Sequence, residues 1–375
     1  MADVVVIGAG ISGAAAAFEL TAAGVSVVLV DRYAPAAMAS GWTLAGVRQS
    51  GRHPAELPLA RSAVALWQDL HEALGADTFY RRRGNLRIAR SEAEVPVIER
   101  LVEEQVAAGL DIVLLREAAD IRAVAPSVRT DAVLVASLCA SDGHADPNAT
   151  VRAFVTAALR AGATTRFGER VLAIEAVAGK VRGVRTDKGM IRADRVVVAA
   201  GIFANELLAP LGLAVPLDIQ VVSVLQSAPM PALLEQVIGV ANADVAGRQE
   251  VGGRFRVTSG VEPWDKQMED GAMPTVRPTA AGLAGTVEKF GRLVPAFAAA
   301  RIEAIWGRPD RYDPGRAAGD RGHAGDRRPG DRNGIFRPRL LPRTNHGPHS
   351  GPPRAGTGPG AAARRVPAQS LRRME

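Results

Sequence analysis

A single cysteine, Cys139, in 375 residues leaves no partner for an internal disulfide and no basis for a multi-cysteine metal site. Aromatic residues make up only 4% of the chain, too few for an aromatic-lined sandwich. Alanine and valine carry much of the apolar content instead, which suits close packing of helices on a sheet. No run of about 18 apolar residues occurs, so no membrane span is expected. A secretory leader is not expected either, because the apolar run Val4–Ile7 is short, lacks a basic flank and leads straight into glycines. These absences point to a protein of a reducing, cytoplasmic compartment.

Lysine is nearly missing as well: arginine supplies almost all of the 46 basic residues. The formal net charge of +7 would suit a nucleic-acid partner if it were spread over a groove. Its position argues otherwise. Residues 307–375 hold 15 arginines against 6 acidic residues, so the body before them is slightly acidic. No basic surface for a phosphate backbone is expected there. None of the six histidines stands at metal-ligand spacing from carboxylates or Cys139, and no metal is expected.

What the sequence does contain begins at its third residue. Asp3-Val-Val-Val-Ile7 is a β-branched run that reads as a buried parallel strand. Gly8-Ala-Gly10-Ile11-Ser12-Gly13 follows, then an unbroken helical stretch from Ala14 to Ala23, closed by Gly24. Val25 to Val30 forms a second strand ending at Asp31. This β-α-β unit has the chemistry of a dinucleotide site. Gly8 permits the tight turn, Gly10 lets backbone approach a pyrophosphate, and Gly13 lets the helix pack closely. The first helical amides, at Ile11, Ser12 and Gly13, face the anion, and Asp31 can accept the ribose hydroxyl hydrogens. Arg32 could hint at a 2′-phosphate, but the carboxylate just before it would repel one. The fingerprint alone does not separate NAD from FAD.

The following segments resemble the D-amino-acid-oxidase-like flavoenzymes, a family that includes glycine oxidase, sarcosine oxidase and the β-type subunits of opine oxidase. The likeness rests first on Ala39-Ser40-Gly41-Trp42-Thr43-Leu44-Ala45-Gly46-Val47-Arg48, which matches the family's loop after the second strand. Asp142-Gly-His-Ala-Asp146-Pro147, leading into a helix over 149–161, is similar to its D-G-x-x-D-P motif, and Asp146 or Asn148 is a good helix cap on local grounds. Ala199-Ala200-Gly201-Ile202-Phe203-Ala204 is similar to its second flavin-contacting turn.

The resemblance implies an FAD cofactor, held without a covalent link because Trp42 and Thr43 stand where some relatives carry the attaching histidine. It places Gly8, Gly10, Ile11, Ser12, Gly13, Asp31 and Arg32 around the nucleotide and Ser40 and Thr43 near the ribityl–pyrophosphate. Ala45, Gly46 and Arg48 would lie beside the ring, Val171 against the adenine through its backbone, and Ala200 and Gly201 in the second turn. Arg48 is the candidate catalytic residue, a fixed cation near the ring or a substrate carboxylate. The alternative for it is a solvated loop arginine.

The implied fold is α/β: a Rossmann-type FAD-binding domain over 1–85 and 141–215, interleaved with a mostly antiparallel α+β substrate domain over 86–140 and 216–300. Within the latter, the strands Ile219–Leu225 and Phe255–Ser259 carry Phe255 and Arg256, whose facing is not readable without register. Elsewhere, Ala60 to Leu74 reads as one helix with Trp67 in the core, and Cys139 as a core residue of an apolar strand. The implied activity is oxidation of the C–N bond of a small amine or amino acid of the sarcosine, glycine, D-amino acid or opine type. Hydride would pass to flavin, and electrons then to oxygen or another acceptor. An FAD-dependent 2-hydroxy acid dehydrogenase is the alternative within the same chemistry, and a heteromeric partner subunit is a further expectation.

After Trp306 the composition changes to a basic Gly/Pro/Arg-rich tail, which by composition alone reads as disordered. The resembling family instead ends with W-x-G, T-P-D-G-x-P-x-I-G and G-x-x-G-H-G, elements that cover the flavin. Written as degenerate codons and read one nucleotide late, the codons from Gly307 can spell W-A-G-L-I-D-T-T-P-D-G-L-P-V-I-G, and later A-T-G-F-S-G-H-G-F. We therefore expect a single-nucleotide insertion just after Trp306. The rival expectation for such a chain is a catalytically silent remnant whose flavin site cannot close.

Overall fold

A computed structural model describes residues 1–312, apart from Asp270 and Ala272. The chain opens with β1 (Ala2–Ile7), α1 (Ile11–Ala22), β2 (Val27–Asp31) and a short β3 (Gly46–Val47). Then come α2 (Leu57–Gln68), α3 (Leu70–Leu74), β4 (Asn85–Ala89), α4 (Val95–Ala107), β5 (Val113–Leu115) and α5 (Ala118–Val124). β6 (Val135–Cys139), β7 (Gly143–His144) and α6 (Pro147–Arg160) precede β8 (Thr164–Phe167), β9 (Val171–Val177), β10 (Lys180–Thr186) and β11 (Gly189–Val198). The remainder is α7 (Ala204–Leu208), β12 (Asp218–Ser227), β13 (Val237–Val240), β14 (Ala246–Gln249), β15 (Phe255–Thr258), β16 (Glu262–Pro263), α8 (Ala280–Leu293) and β17 (Ile302–Tyr312).

The first sheet has the order β8-β2-β1-β11-β10-β9. Its β8, β2, β1 and β11 are parallel neighbours, and β10 and β9 extend it antiparallel. β1 is valine-rich because both of its faces are covered, as parallel strands require. One face packs on α1 and α6 through Ala14, Ala17, Ala153, Ala157 and Ala158, where small side chains bring the helices close to the strands and to each other. The opposite face packs Val5, Ile7 and Val30 against Val171, Ile174, Val184 and Leu207.

The second sheet, β16-β12-β15-β14-β13-β4-β6-β5 with β17 beside β12, is antiparallel except where β13 meets β4. Its register sorts the side chains into two faces. Val257, Ile238, Leu86 and Leu138 occupy one, against Phe290, Leu293 and Phe297 in the segment of α8 and after it. A Cβ on Gly247 would fall 2.4 Å from the Phe290 ring, so only glycine fits beneath that aromatic. Gln226, Arg256 and Arg248 lie opposite one another on the other face.

One expectation is corrected here. The helix expected over 60–74 is two helices, because Asp69 leaves helical geometry at φ −107° and ψ 8°; Trp67 is half-buried beside Tyr80 in a small cluster. The first residues of the basic segment are part of the second sheet, since β17 runs to Tyr312 in register with Asp218–Ser223 of β12. Backbone pairing needs no side-chain pattern, so composition could not mark this. The rest of the tail, with its expected disorder and shifted frame, lies outside the described residues.

Candidate functional site

The C-terminal ends of β1, β2 and β11 converge on the glycine turn, and the fold constrains its three glycines to different degrees. Gly8 has φ +106°, and a Cβ on it would fall 2.3 Å from the Ala199 carbonyl oxygen. A Cβ on Gly13 would fall 1.8 Å from the Gly8 carbonyl oxygen, so the close seat of α1 depends on its absence. Gly10 is less constrained by the fold: a Cβ there would meet only the Ser40 hydroxyl, at 2.9 Å. Gly10 is also the N-cap of α1 and supplies no side-chain cap, so the helix start is left to other partners. Ile11 donates its amide to Ser40 Oγ at 3.0 Å, and Ser12 stands half-buried in the same first turn.

Asp31 is tied to this turn. Its carboxylate accepts the amide of Ala9 at 2.5 Å and that of Tyr33 at 2.8 Å. Burial raises its pKa above the ordinary carboxylate range, against the lowering effect of those two amides and of Arg32. A pocket opens beside it, lined by Gly10, Asp31, Ala34, Ala36, Ala37, Met38 and Ser40. Arg32 lies over the Phe203 ring, 3.9 Å from its centroid, and pairs with Glu206 at 3.4 Å. β11 delivers the second turn: Ala199 donates to the Ile7 carbonyl at 2.8 Å, and Gly201 has φ +58° with open space around it. Val171 is buried at the start of β9 among the aliphatics behind the sheet.

The loop after β2 is held at nearly every step. Trp42 donates its indole N–H to the Ala37 carbonyl at 2.7 Å, and Asn148 donates its amide to the Gly41 carbonyl at 3.1 Å. Thr43 Oγ1 accepts the amide of Ala45, a non-glycine residue at φ +51°. Gly46 and Val47 pair with His144 and Gly143, so the loop is sewn to the D-G-x-x-D-P segment. Arg48 is half-buried and donates to the Ser50 carbonyl at 2.6 Å. Both aspartates of that segment do structural work. Fully buried Asp142 accepts the amides of Gln49 and Ser50, and Asp146 caps α6 through the amide of Ala149 at 2.6 Å. Asn148, the other candidate cap, serves the loop instead.

Sequence reading missed one part of this region. Arg248, on β14, is 1% exposed and donates to the carbonyls of Leu44 and Ala145 and to His144 Nδ1. Its neighbour Arg256, on β15, pairs with Glu250, donates to the carbonyls of Gly41 and Thr43, and lies 5.4 Å from the Trp306 ring centroid. Trp306 in turn packs on Trp42 and donates its indole N–H to the Trp42 carbonyl at 3.2 Å. The available signal was alternation within Ala246–Gln249 and Phe255–Thr258, which becomes informative only with the register.

Burial lowers the His144 pKa from 6.5 to about 3, with Arg248 and Arg81 adding to the effect. Its imidazole is therefore neutral and accepts from Arg248, whose own pKa burial lowers to about 10. The unfolded chain takes up a proton near pH 6.5 that the folded chain refuses, so this site's stability is present above that pH and is lost as pH falls toward 3. Between pH 6.5 and 5 the chain should lose roughly 1–2 kcal/mol more than a His144→Gln variant. Urea midpoints at the two pH values measure this, and equal slopes would show that His144 is not the group responsible. Burial also pushes the Cys139 thiol up to about 12, as fits a core residue.

Among the described residues no cluster of three or more His, Cys, Asp or Glu side chains could hold a metal ion, and no helix is long and apolar enough to cross a membrane. A family model described as "DAO: FAD dependent oxidoreductase" matches residues 3–334. The 4-methylaminobutanoate oxidase (formaldehyde-forming) of Paenarthrobacter nicotinovorans is 30% identical over 216 residues, 57% of this chain and 26% of that protein. D-amino acid dehydrogenase of Cereibacter sphaeroides is 25% identical, with 68% of this chain and 72% of that protein covered. The chain spans about a quarter of the length of the first curated relatives it matches. Glycine oxidase from Geobacillus kaustophilus superposes with a TM-score of 0.77 at 22% identity, covering 84% of each chain. That from Bacillus cereus superposes with a TM-score of 0.75 at 24% identity, covering 83% of each. At these identities the solved structures speak to the fold.

Proposed function

Since the chain belongs to the DAO family of FAD-dependent oxidoreductases, we propose that it oxidises the C–N bond of a small amine or amino acid. The sarcosine, glycine, D-amino acid and opine types are the substrates in view. The names of its relatives, an oxidase of a methylated amine and a D-amino acid dehydrogenase, support that class. The single observation that carries the reading is the joined arrangement of glycine turn, Asp31 and Ser40, with a pocket between them.

The residues present fit FAD. The cradle excludes side chains at Gly8 and Gly13, and at Gly10 its one near neighbour is a movable hydroxyl. In this reading the first turn of α1, from Gly10 through Ile11 and Ser12 to Gly13, holds the pyrophosphate, and Asp31 receives the ribose. Arg32, stacked on Phe203, closes the adenosine end, and the backbone of Val171 lies toward the adenine. Ser40 and Thr43 serve the ribityl–pyrophosphate, and Ala45, Gly46, Ala200 and Gly201 lie along the ring. When bound, FAD supplies a two-electron acceptor. Arg48 supplies fixed positive charge at the reacting end, held in place by its bond to the Ser50 carbonyl. Strands β1, β2 and β8–β11 form the FAD-binding part, and the second sheet forms the substrate part. Oxygen or another acceptor takes the electrons, a partner subunit is compatible with the reading, and the compartment is cytoplasmic.

Anaerobic mixing of flavin-loaded protein with sarcosine, glycine, D-amino acids, opines and 2-hydroxy acids tests the proposal. Bleaching of the visible flavin bands by an amine or amino acid is the expected result. Bleaching by hydroxy acids alone would replace C–N oxidation with the hydroxy-acid alternative. The composition after Trp306 favours a second reading for this polypeptide as it stands: a silent remnant, recognised by colourless protein that no substrate changes.

A further inference from the structure

The second sheet turns two buried arginines toward the loop that follows β2, and their contacts have one feature in common. Arg256 and Arg248 are directly opposed across β15 and β14. Every loop atom they reach is a backbone carbonyl: Arg256 holds those of Gly41 and Thr43, each at 3.2 Å, and Arg248 holds that of Leu44. Arg248 Nη2 also holds the Ala145 carbonyl at 3.0 Å, next to the amide that Ala145 donates to the Ala45 carbonyl at 3.1 Å. Further along the same face, Arg87 of β4 lies on the loop's far end, where a Cβ on Gly51 would fall 2.7 Å from its Nη2.

A loop with Ala45 at φ +51° does not hold that shape by local preference. Planar guanidinium groups with several fixed donors can hold successive carbonyls at set spacings, which a lysine cannot do as well. Because a trans peptide is planar, drawing the carbonyls of Gly41 and Thr43 toward the sheet turns the amides of Trp42 and Leu44 away from it. The charges are matched to this task. Glu250 compensates Arg256 directly and approaches Arg248 at 3.9 Å, while neutral His144 accepts from Arg248 without adding a second cation.

We propose that Arg248 and Arg256 are positioning residues, which clamp the Gly41–Ala45 loop by its carbonyls and present its amides to the flavin side of the site. The proposal rests on the FAD reading for what the loop meets, but the clamp itself is a property of the chain alone.

Hydrogen exchange on the chain without added cofactor separates the two. In Arg248→Met and Arg256→Met, the amides of Gly41, Ala45 and Ala145 should exchange at least about 10-fold faster, while those of β9–β11 stay unchanged. FAD titration, followed by flavin fluorescence, should show Kd raised at least about 10-fold in both variants. Arg248→Lys and Arg256→Lys should recover part of each effect. Unchanged exchange at Gly41, Ala45 and Ala145 overturns the proposal. So does acceleration spread equally over both sheets, which would make the arginines ordinary supports of the fold. If the unsubstituted chain takes up no FAD, the functional reading fails for this form, and the exchange data still decide the clamp.

Discussion

Removing one nucleotide just after the Trp306 codon is expected to give a chain that retains about one FAD per polypeptide and binds it at least ~100-fold more tightly than the 375-residue form, roughly 2.7 kcal/mol. The first ground is the codon reading, in which the shifted frame spells T-P-D-G and G-H-G segments where the resembling family has them. The second is structural. Trp306 packs on Trp42 with ring centroids 4.5 Å apart, and its indole donates to the Trp42 carbonyl. The sequence therefore departs from its expected course immediately beside the loop proposed to meet the flavin. Flavin content after gel filtration measures the effect. Equal FAD uptake by the two forms, or a gene sequence with an intact frame and no nearby insertion, would remove this part of the account.

Gly10→Ala should weaken FAD binding by about 100-fold while changing stability by less than about 1 kcal/mol. The contrast among the three glycines makes this prediction sharp. At Gly8 and Gly13 the nearest atoms to an added Cβ are backbone carbonyl oxygens, at 2.3 and 1.8 Å, so alanine there disturbs the strand–helix unit itself. At Gly10 the nearest atom is a serine hydroxyl that can rotate away, and no other atom but the Ser40 Cβ lies within 4 Å. An added methyl at Gly10 thus leaves the fold almost untouched and occupies the surface proposed for the cofactor. Thermal unfolding and FAD titration on one preparation separate the two effects. A variant that binds FAD as well as its parent would show that the pyrophosphate lies elsewhere.

The sequence made the first thirty residues legible because their constraints are local. A tight turn, a close helix and an acidic strand end each depend on residues within a few positions of one another. In the fold Gly8 makes the tight turn, Gly13 lets α1 sit close, Asp31 ends β2, and the second turn at Ala199–Gly201 closes against Gly8. The Asp142–Asp146 segment was readable as a helix cap, but not as the anchor of a loop some 92 residues earlier, because that pairing is made only by the fold. Arg248 and Arg256 were hidden for the same reason. Whether an arginine in a short strand meets solvent or a loop depends on register across strands distant in sequence, and one residue of slip reverses it. The end of β17 shows the opposite limit: its backbone pairs with β12 although the sequence from Gly307 to Tyr312 has no apolar alternation.

Titration of the chain made with one nucleotide removed after the Trp306 codon, with FAD and with NAD side by side, bears most directly on the claim that the glycine turn and its neighbouring loop grip a flavin dinucleotide. The account predicts FAD binding at least ~100-fold tighter than NAD, with the preference lost in Gly10→Ala. A folded chain that binds NAD tightly and takes up no FAD would contradict it.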